Sequence, residues 1–200
     1  MKNINSQQLD LLKELGNIGM GNATSSLSAM LKEERVNMFV PEVSVVPLSE
    51  LPDCMGGPEK QVTGIYVKVG GDIGLYMIFI VPLDSAENLA FTVTEGMAEG
   101  LDEFGLSAVA EVGNILTAGY LNALSFLMDM TLVPEPPGVA VDMTEAILGT
   151  ILAESQVVED FIVLIKTSFV TEKTNIQGFL TIIPEKDAFE VIYNMLLKGA

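Results

Sequence analysis

The chain contains no histidine, and Cys54 is its only cysteine. Without histidine there is no imidazole base, no phosphohistidine and no imidazole metal ligand. One thiol excludes an intrachain disulfide and a zinc–thiolate cluster. Positive charge is scarce too: 10 Lys and Arg stand against 27 Asp and Glu, a formal net charge of −17. Such a surface repels phosphate backbones, so nucleic acid is not an expected partner. The charge serves solubility, or it steers a partner with basic groups near its docking face. Long apolar runs are missing as well. The longest, residues 115–128, is interrupted by Thr117, Asn122 and Ser125 and stops at Asp129, short of the ~20 apolar residues a spanning helix needs. The opening MKNINSQQLD has no apolar core of a signal peptide. A cytoplasmic protein without membrane insertion is the expectation. Any catalysis must use carboxylates, amides, hydroxyls, lysines or groups brought by a partner.

What the chain does have is apolar residues, 49% of its 200 positions with a mean hydropathy of +0.43, enough for a sizeable core. It also repeats itself. Glu14-Leu15-Gly16-Asn17-Ile18 recurs 97 residues later as Glu111-Val112-Gly113-Asn114-Ile115. Six of the eighteen positions in 14–31 are identical to those in 111–128. Each half also carries an apolar strand ending in proline, at Pro82 and at Pro184, with a helix expected after it.

The fold class expected is α/β (α+β): residues 1–200 as a pseudo-twofold symmetric single domain. Its two repeats, about 1–100 and 101–200, each read helix–strand–strand–strand–helix and share a long sheet. In the first half the spacing predicts a helix over 6–31 with Ser6 as N-cap, a strand over 36–46, a hairpin of 62–69 and 75–81, and a helix over 85–97. Pro41 inside the first strand requires an edge position or a bulge. The second half reads as a helix over 106–130, a break at Pro134, Pro136 and Pro137, and a short strand near Val139. An added helix over 144–155, strands over 157–169 and 174–183, and a closing helix over 188–198 complete it.

On a helical wheel Asp10, Glu14 and Asn17, at i, i+4 and i+7, fall within about 60° of one another. Ser107, Glu111 and Asn114 take the same three places in the second copy. The apolar Leu9, Leu11, Leu12, Leu15 and Ile18 fill the rest of the first helix, which should be buried around one narrow polar stripe. A polar stripe on an amphipathic helix is ordinarily a solvated face. Solvent, however, asks for polarity and not for the same Glu and Asn at the same phase. Gly16 and Gly113 recur beside the asparagines despite the ~1 kcal/mol that glycine costs a helix interior, which suggests close approach by another backbone or a partner. Common descent of the halves is the competing account of the repetition.

An amide is a poor base and a poor nucleophile, but its paired donor and acceptor can orient a water. Aligning water for in-line attack on phosphorus is the part a glutamine plays in GTPases. Neither half offers a lysine cluster or a metal cage, so the phosphate and its metal must arrive on the partner. A glutamate beside the amide could ion-pair with a partner lysine and fix the amide over the phosphorus. The run Gly16-Asn17-Ile18-Gly19-Met20-Gly21 lacks the Lys-Ser/Thr ending and preceding strand of a nucleotide loop.

The pattern of Asp or Ser, three residues, Glu, two residues, Asn, then about 22 residues and Pro resembles the CheC, CheX and FliY phosphatases of bacterial chemotaxis. Ser107, Glu111, Asn114 and Pro137 match it, with 22 residues between the last two. Asp10, Glu14 and Asn17 match as well, while Pro41 lies one residue late, with 23 between. Two intact motifs on a short chain look like the CheC type. The resemblance implies two exposed active helices and hydrolysis of the aspartyl phosphate of the response regulator CheY. It makes Glu14, Asn17, Glu111 and Asn114 catalytic and Asp10, Ser107, Pro41 and Pro137 supporting. It implies no metal or cofactor of the chain's own, with Mg²⁺ belonging to CheY. It adds the receptor deamidase CheD as a partner, placed near the helix over 144–155. Two other readings stand beside it: a non-catalytic binding module for CheY or CheD, and a structural protein of the flagellar motor.

Overall fold

The structure is a computed structural model that describes residues 6–30, 37–155, 161–170, 175–185, 188, 191, 192 and 194. The chain runs α1 (Ser6–Met30), β1 (Asn37–Pro47), a 3₁₀ turn (Leu48–Glu50), α2 (Leu51–Cys54), β2 (Gln61–Gly71), β3 (Leu75–Pro82) and α3 (Leu83–Val93). It continues with α4 (Glu103–Met128), β4 (Leu132–Pro134), β5 (Gly138–Met143), α5 (Thr144–Ser155), β6 (Phe161–Val170) and β7 (Asn175–Pro184). The seven strands form one antiparallel sheet of order β1-β6-β7-β3-β2-β4, with β5 also paired to β2. The α/β class and the shared sheet agree with expectation. The first strands of each half lie beside the hairpin of the other, and β3 and β7 meet in the middle. Exchanging the two halves leaves this strand order unchanged.

Two layers cover the sheet because its strands alternate sides. Ile65, Val67, Met77, Phe79, Ile165 and Leu180 face a core shared with α1, α3 and α4. Tyr76, Ile78, Ile80, Ile162, Leu164 and Ile183 face a smaller core closed by α2 and α5. β3 is buried along nearly its whole length, as a central strand covered on both faces must be. α1 buries Leu12, Leu15, Gly16, Gly19, Met20, Ala23 and Leu27, the spacing of one helix face. Among the described residues no helix is long and apolar enough to cross a membrane.

Several local expectations change. α2 lies between β1 and β2, where no helix is expected from the pattern, and Pro52 suits its first turn. It occupies the same place between first and second strands as α5, so α5 is not an addition without counterpart. α4 starts at Glu103 rather than 106, since the Asp102 carboxylate caps it by accepting from the Gly105 N–H at 2.7 Å. The second half's opening strand is broken into β4 and β5 by residues 135–137, where Pro136 and Pro137 offer no ladder donor. α1 is helical from Ser6 onward, so Ser6 begins the helix, and the residues before it lie outside the described set. The closing helix over 188–198 falls mostly outside the described residues; Ala188, Val191, Ile192 and Asn194 are helical.

Candidate active site

α1 and α4 lie side by side in the layer over the sheet and cross through small residues. A Cβ built on Gly119 would sit 2.5 Å from the Gly19 carbonyl oxygen, and one on Gly19 would sit 2.8 Å from the Tyr120 Cα. Tyr120 is fully buried at this crossing, and among the described residues its hydroxyl has no hydrogen-bond partner. Burial alone pushes the phenol's pKa well above its usual value.

The inward faces of both helices leave each Glu–Asn pair at the surface. Glu14 and Glu111 are exposed, and Asn17 and Asn114, three residues on, are half-buried. Asp10 and Ser107, one turn before each glutamate, are exposed. The Ser107 hydroxyl donates back to the Glu103 carbonyl at 2.8 Å, a helix-internal bond that occupies its proton. The polar face of α1 is broader than the single stripe expected. Ile18, 49% exposed, belongs to it, and so do Gly21, Asn22, Ser25 and Ser26. The recurring glycines serve the sheet and not a visitor. A Cβ on Gly16 would meet Val40 Cγ2 at 2.8 Å, and one on Gly113 would meet Ile65 Cγ2 at 2.4 Å. Both let a helix lie close on a strand.

The two amides differ in their surroundings. The Val40 N–H donates to Asn17 Oδ1 at 3.0 Å. Val40 and Pro41 form a bulge in β1: Phe39 pairs with Ser168 and Glu42 with Lys166, so two residues oppose one. Pro41 is thus both at a sheet edge and in a bulge, as its place in a strand requires. It is exposed, and the contact with Asn17 comes from its neighbour. Among the described residues the Asn114 amide has no hydrogen-bond partner. It lines a cleft of about 240 Å³ between α1 and α4, together with Asn22, Ala23, Ser26, Ile115, Ala118, Gly119 and Asn122. The Val40 donor was invisible in the sequence because a backbone N–H has no residue type; its only trace was the late position of Pro41.

Among the described residues no three His, Cys, Asp or Glu side chains are grouped to hold a metal ion. A larger cavity, about 570 Å³, lies away from these helix faces, lined by Lys68, Asp72, Tyr76, Glu154 and Glu185 among others. Burial raises the pKa of the Tyr76 phenol there, with the Lys68 ammonium 5.6 Å from its ring.

Two exposed helix faces, each with a glutamate and an amide three residues apart, on a sheet built from both halves, define a recognisable class. The chain belongs to the CheC-like family, whose model matches residues 8–45 and 104–141, one match over each Glu–Asn pair. It is 31% identical over 200 residues to the CheY-P phosphatase CheC of Bacillus subtilis (strain 168), covering 95% of this chain and 94% of that one. The fold is similar to that of Thermotoga maritima FliY, with a TM-score of 0.78 at 20% identity over 98% of this chain and 99% of that one. It also resembles a chain in the CheX–CheY–BeF3–Mg²⁺ complex of Borrelia burgdorferi, with a TM-score of 0.54 at 14% identity, covering 84% of this chain and 96% of that one.

Proposed function

We propose that this chain hydrolyses the aspartyl phosphate of phosphorylated CheY, using Asn17 and Asn114 to orient the attacking water and Glu14 and Glu111 to hold a lysine of the partner. The observation that carries the reading is the surface position of both Glu–Asn pairs, each with the carboxylate in solvent and the amide beside it. Water oxygen bonds to phosphorus as the bond to the aspartyl oxygen breaks. The aspartate leaves as a carboxylate, and both water protons end on the released phosphate. Alignment and charge stabilisation carry most of such a loose transfer. In this reading Mg²⁺ sits on CheY. The doubled site is the product of two related halves joined at β3 and β7, a pseudo-twofold arrangement that the strand order supports.

Turnover separates catalysis from mere docking. One equivalent of this protein to twenty of phosphorylated CheY should release many phosphates per chain; a pure binder would leave the decay of phosphorylated CheY unchanged or slow it. Reversing the anchoring charges should act on recognition. Glu14→Lys with Glu111→Lys is expected to raise KM about tenfold with a smaller change in kcat, and the effect should shrink as salt screens the pairing. An unchanged KM removes the glutamates from the docking contact.

CheD is assigned to α5. That helix lies across the sheet from α1 and α4, on the smaller core, so CheD and CheY need not compete for one surface. Gly149 on its outer face has nothing within 4 Å of an added Cβ. Gly149→Arg should therefore block capture of CheD while sparing phosphate release, and undiminished capture places CheD elsewhere.

A further inference from the structure

The repeated motif hides a difference between its copies. At the first site the Val40 N–H pins Asn17 Oδ1 at 3.0 Å. An amide held this way turns its oxygen toward β1 and leaves its NH₂ group outward. The counterpart of Val40 in the second half is Pro137 if the 97-residue shift is kept, or Pro136 if Pro41 and Pro137 are matched instead. Both are prolines, and neither has an N–H to give. Asn114 has no partner among the described residues and opens into the cleft at the helix crossing.

A water about to attack phosphorus must keep a lone pair free for the new bond and give its protons to acceptors. The useful end of the amide is therefore its oxygen. An outward NH₂ competes for the lone pair the water needs, though it remains a good donor to an anionic phosphoryl oxygen. Resting on the phosphatase reading above, the geometry points to a division of labour. Asn114 is the residue that aligns water with its amide oxygen and carries most of the turnover, and Asn17 is held by Val40 in an orientation suited to gripping the phosphoryl group. Val40 is thus a positioning residue acting through its backbone, and the Pro136-Pro137 pair is what leaves the second amide free.

The test is a set of single and combined variants assayed for phosphate release from phosphorylated CheY, with kcat and KM separated. Asn114→Ala is expected to lower kcat about tenfold or more, and Asn17→Ala by only about a tenth, the share the first site supplies. Val40→Pro reproduces the second half's consecutive prolines in the bulge, a place that tolerates proline. In the Asn114→Ala background it should raise kcat at least threefold at steady KM, and that gain should vanish when Asn17 is also alanine. A merely structural part for Val40 would not depend on Asn17. Circular dichroism and melting confirm that the Val40→Pro chain is folded; if it is not, the comparison of the two single asparagine variants decides alone. The inference is overturned if Asn17→Ala costs as much as Asn114→Ala, or if folded Val40→Pro gives no gain. Full activity with both asparagines replaced would instead remove the phosphatase mechanism on which it rests.

Discussion

With both Asn17 and Asn114 replaced by alanine, phosphate release from phosphorylated CheY falls about a hundredfold, close to CheY's own rate of decay, a loss of ~2.7 kcal/mol of transition-state stabilisation. Asn22 and Asn122, in the cleft between the helices, align with Gly119 and Ser25 of the other copy, so no other amide is shared by both sites. Lys13 lies near the first amide, but Ala110 holds the corresponding place in the second copy, so no donor is common to both sites. Glu14 and Glu111 remain in the double variant, and they are the groups assigned to docking. The loss should consequently appear in kcat, with KM and the affinity for phosphorylated CheY nearly kept. A double variant that turns over at the full rate would falsify the role of the amides. A fall in affinity equal to the fall in rate would make the asparagines docking residues and favour the binding-module reading.

Gly119→Ala is expected to destabilise the fold by about 2–3 kcal/mol, the upper range for overpacking a close contact, and to lower the melting temperature by about 5–10 °C in a chain of this size. The reason is what the new methyl would strike. It would stand 2.5 Å from the Gly19 carbonyl oxygen, 3.0 Å from the Ala23 Cβ and 3.2 Å from the Ala23 nitrogen. These are parts of the opposing helix with no side-chain torsion to yield, so α1 and α4 must separate. Gly113→Ala should cost a comparable amount, since its methyl would stand 2.4 Å from Cγ2 and 3.1 Å from Cβ of Ile65, a buried β-branched residue that is stiff at χ1. Gly21, exposed on α1 with nothing within 4 Å of an added Cβ, supplies the opposite case. Gly21→Ala should stabilise by up to ~1 kcal/mol through helix propensity. Melting curves of the three variants check the order. A Gly119→Ala chain that melts at the wild-type temperature is incompatible with the close crossing of α1 and α4.

Much of this was legible in the residues because it rests on period and chemistry. The spacing of Leu12, Leu15, Met20 and Leu27 marks one buried face of α1 whatever the rest of the chain does. The apolar runs 62–69 and 75–81 on either side of Gly70-Gly71-Asp72 mark a hairpin, and a proline inside β1 had to fall at an edge or bulge. Helix starts were less legible. The cap at Asp102 is hidden because the apolar pattern of α4 begins only later. α2 is not legible at all, because four residues carry no measurable period. Ile18 belongs by its hydrophobicity with the buried residues, yet whether a residue at that angle is covered depends on the neighbour, and Ile18 is 49% exposed among the described residues.

The sequence by itself determined the doubled motif, the residue types available for chemistry, the α/β class and the two helices that carry Glu14, Asn17, Glu111 and Asn114. Those follow from side-chain identity and local periodicity, which need no knowledge of what lies far along the chain. Only the tertiary structure decided that the glycines beside the asparagines press on Val40 and Ile65, that α1 and α4 touch backbone to backbone at Gly19 and Gly119, and that the two amides are unequal. Each of these is a contact between residues distant in sequence, and the one that distinguishes the sites is a backbone hydrogen bond, made by Val40 and denied to proline.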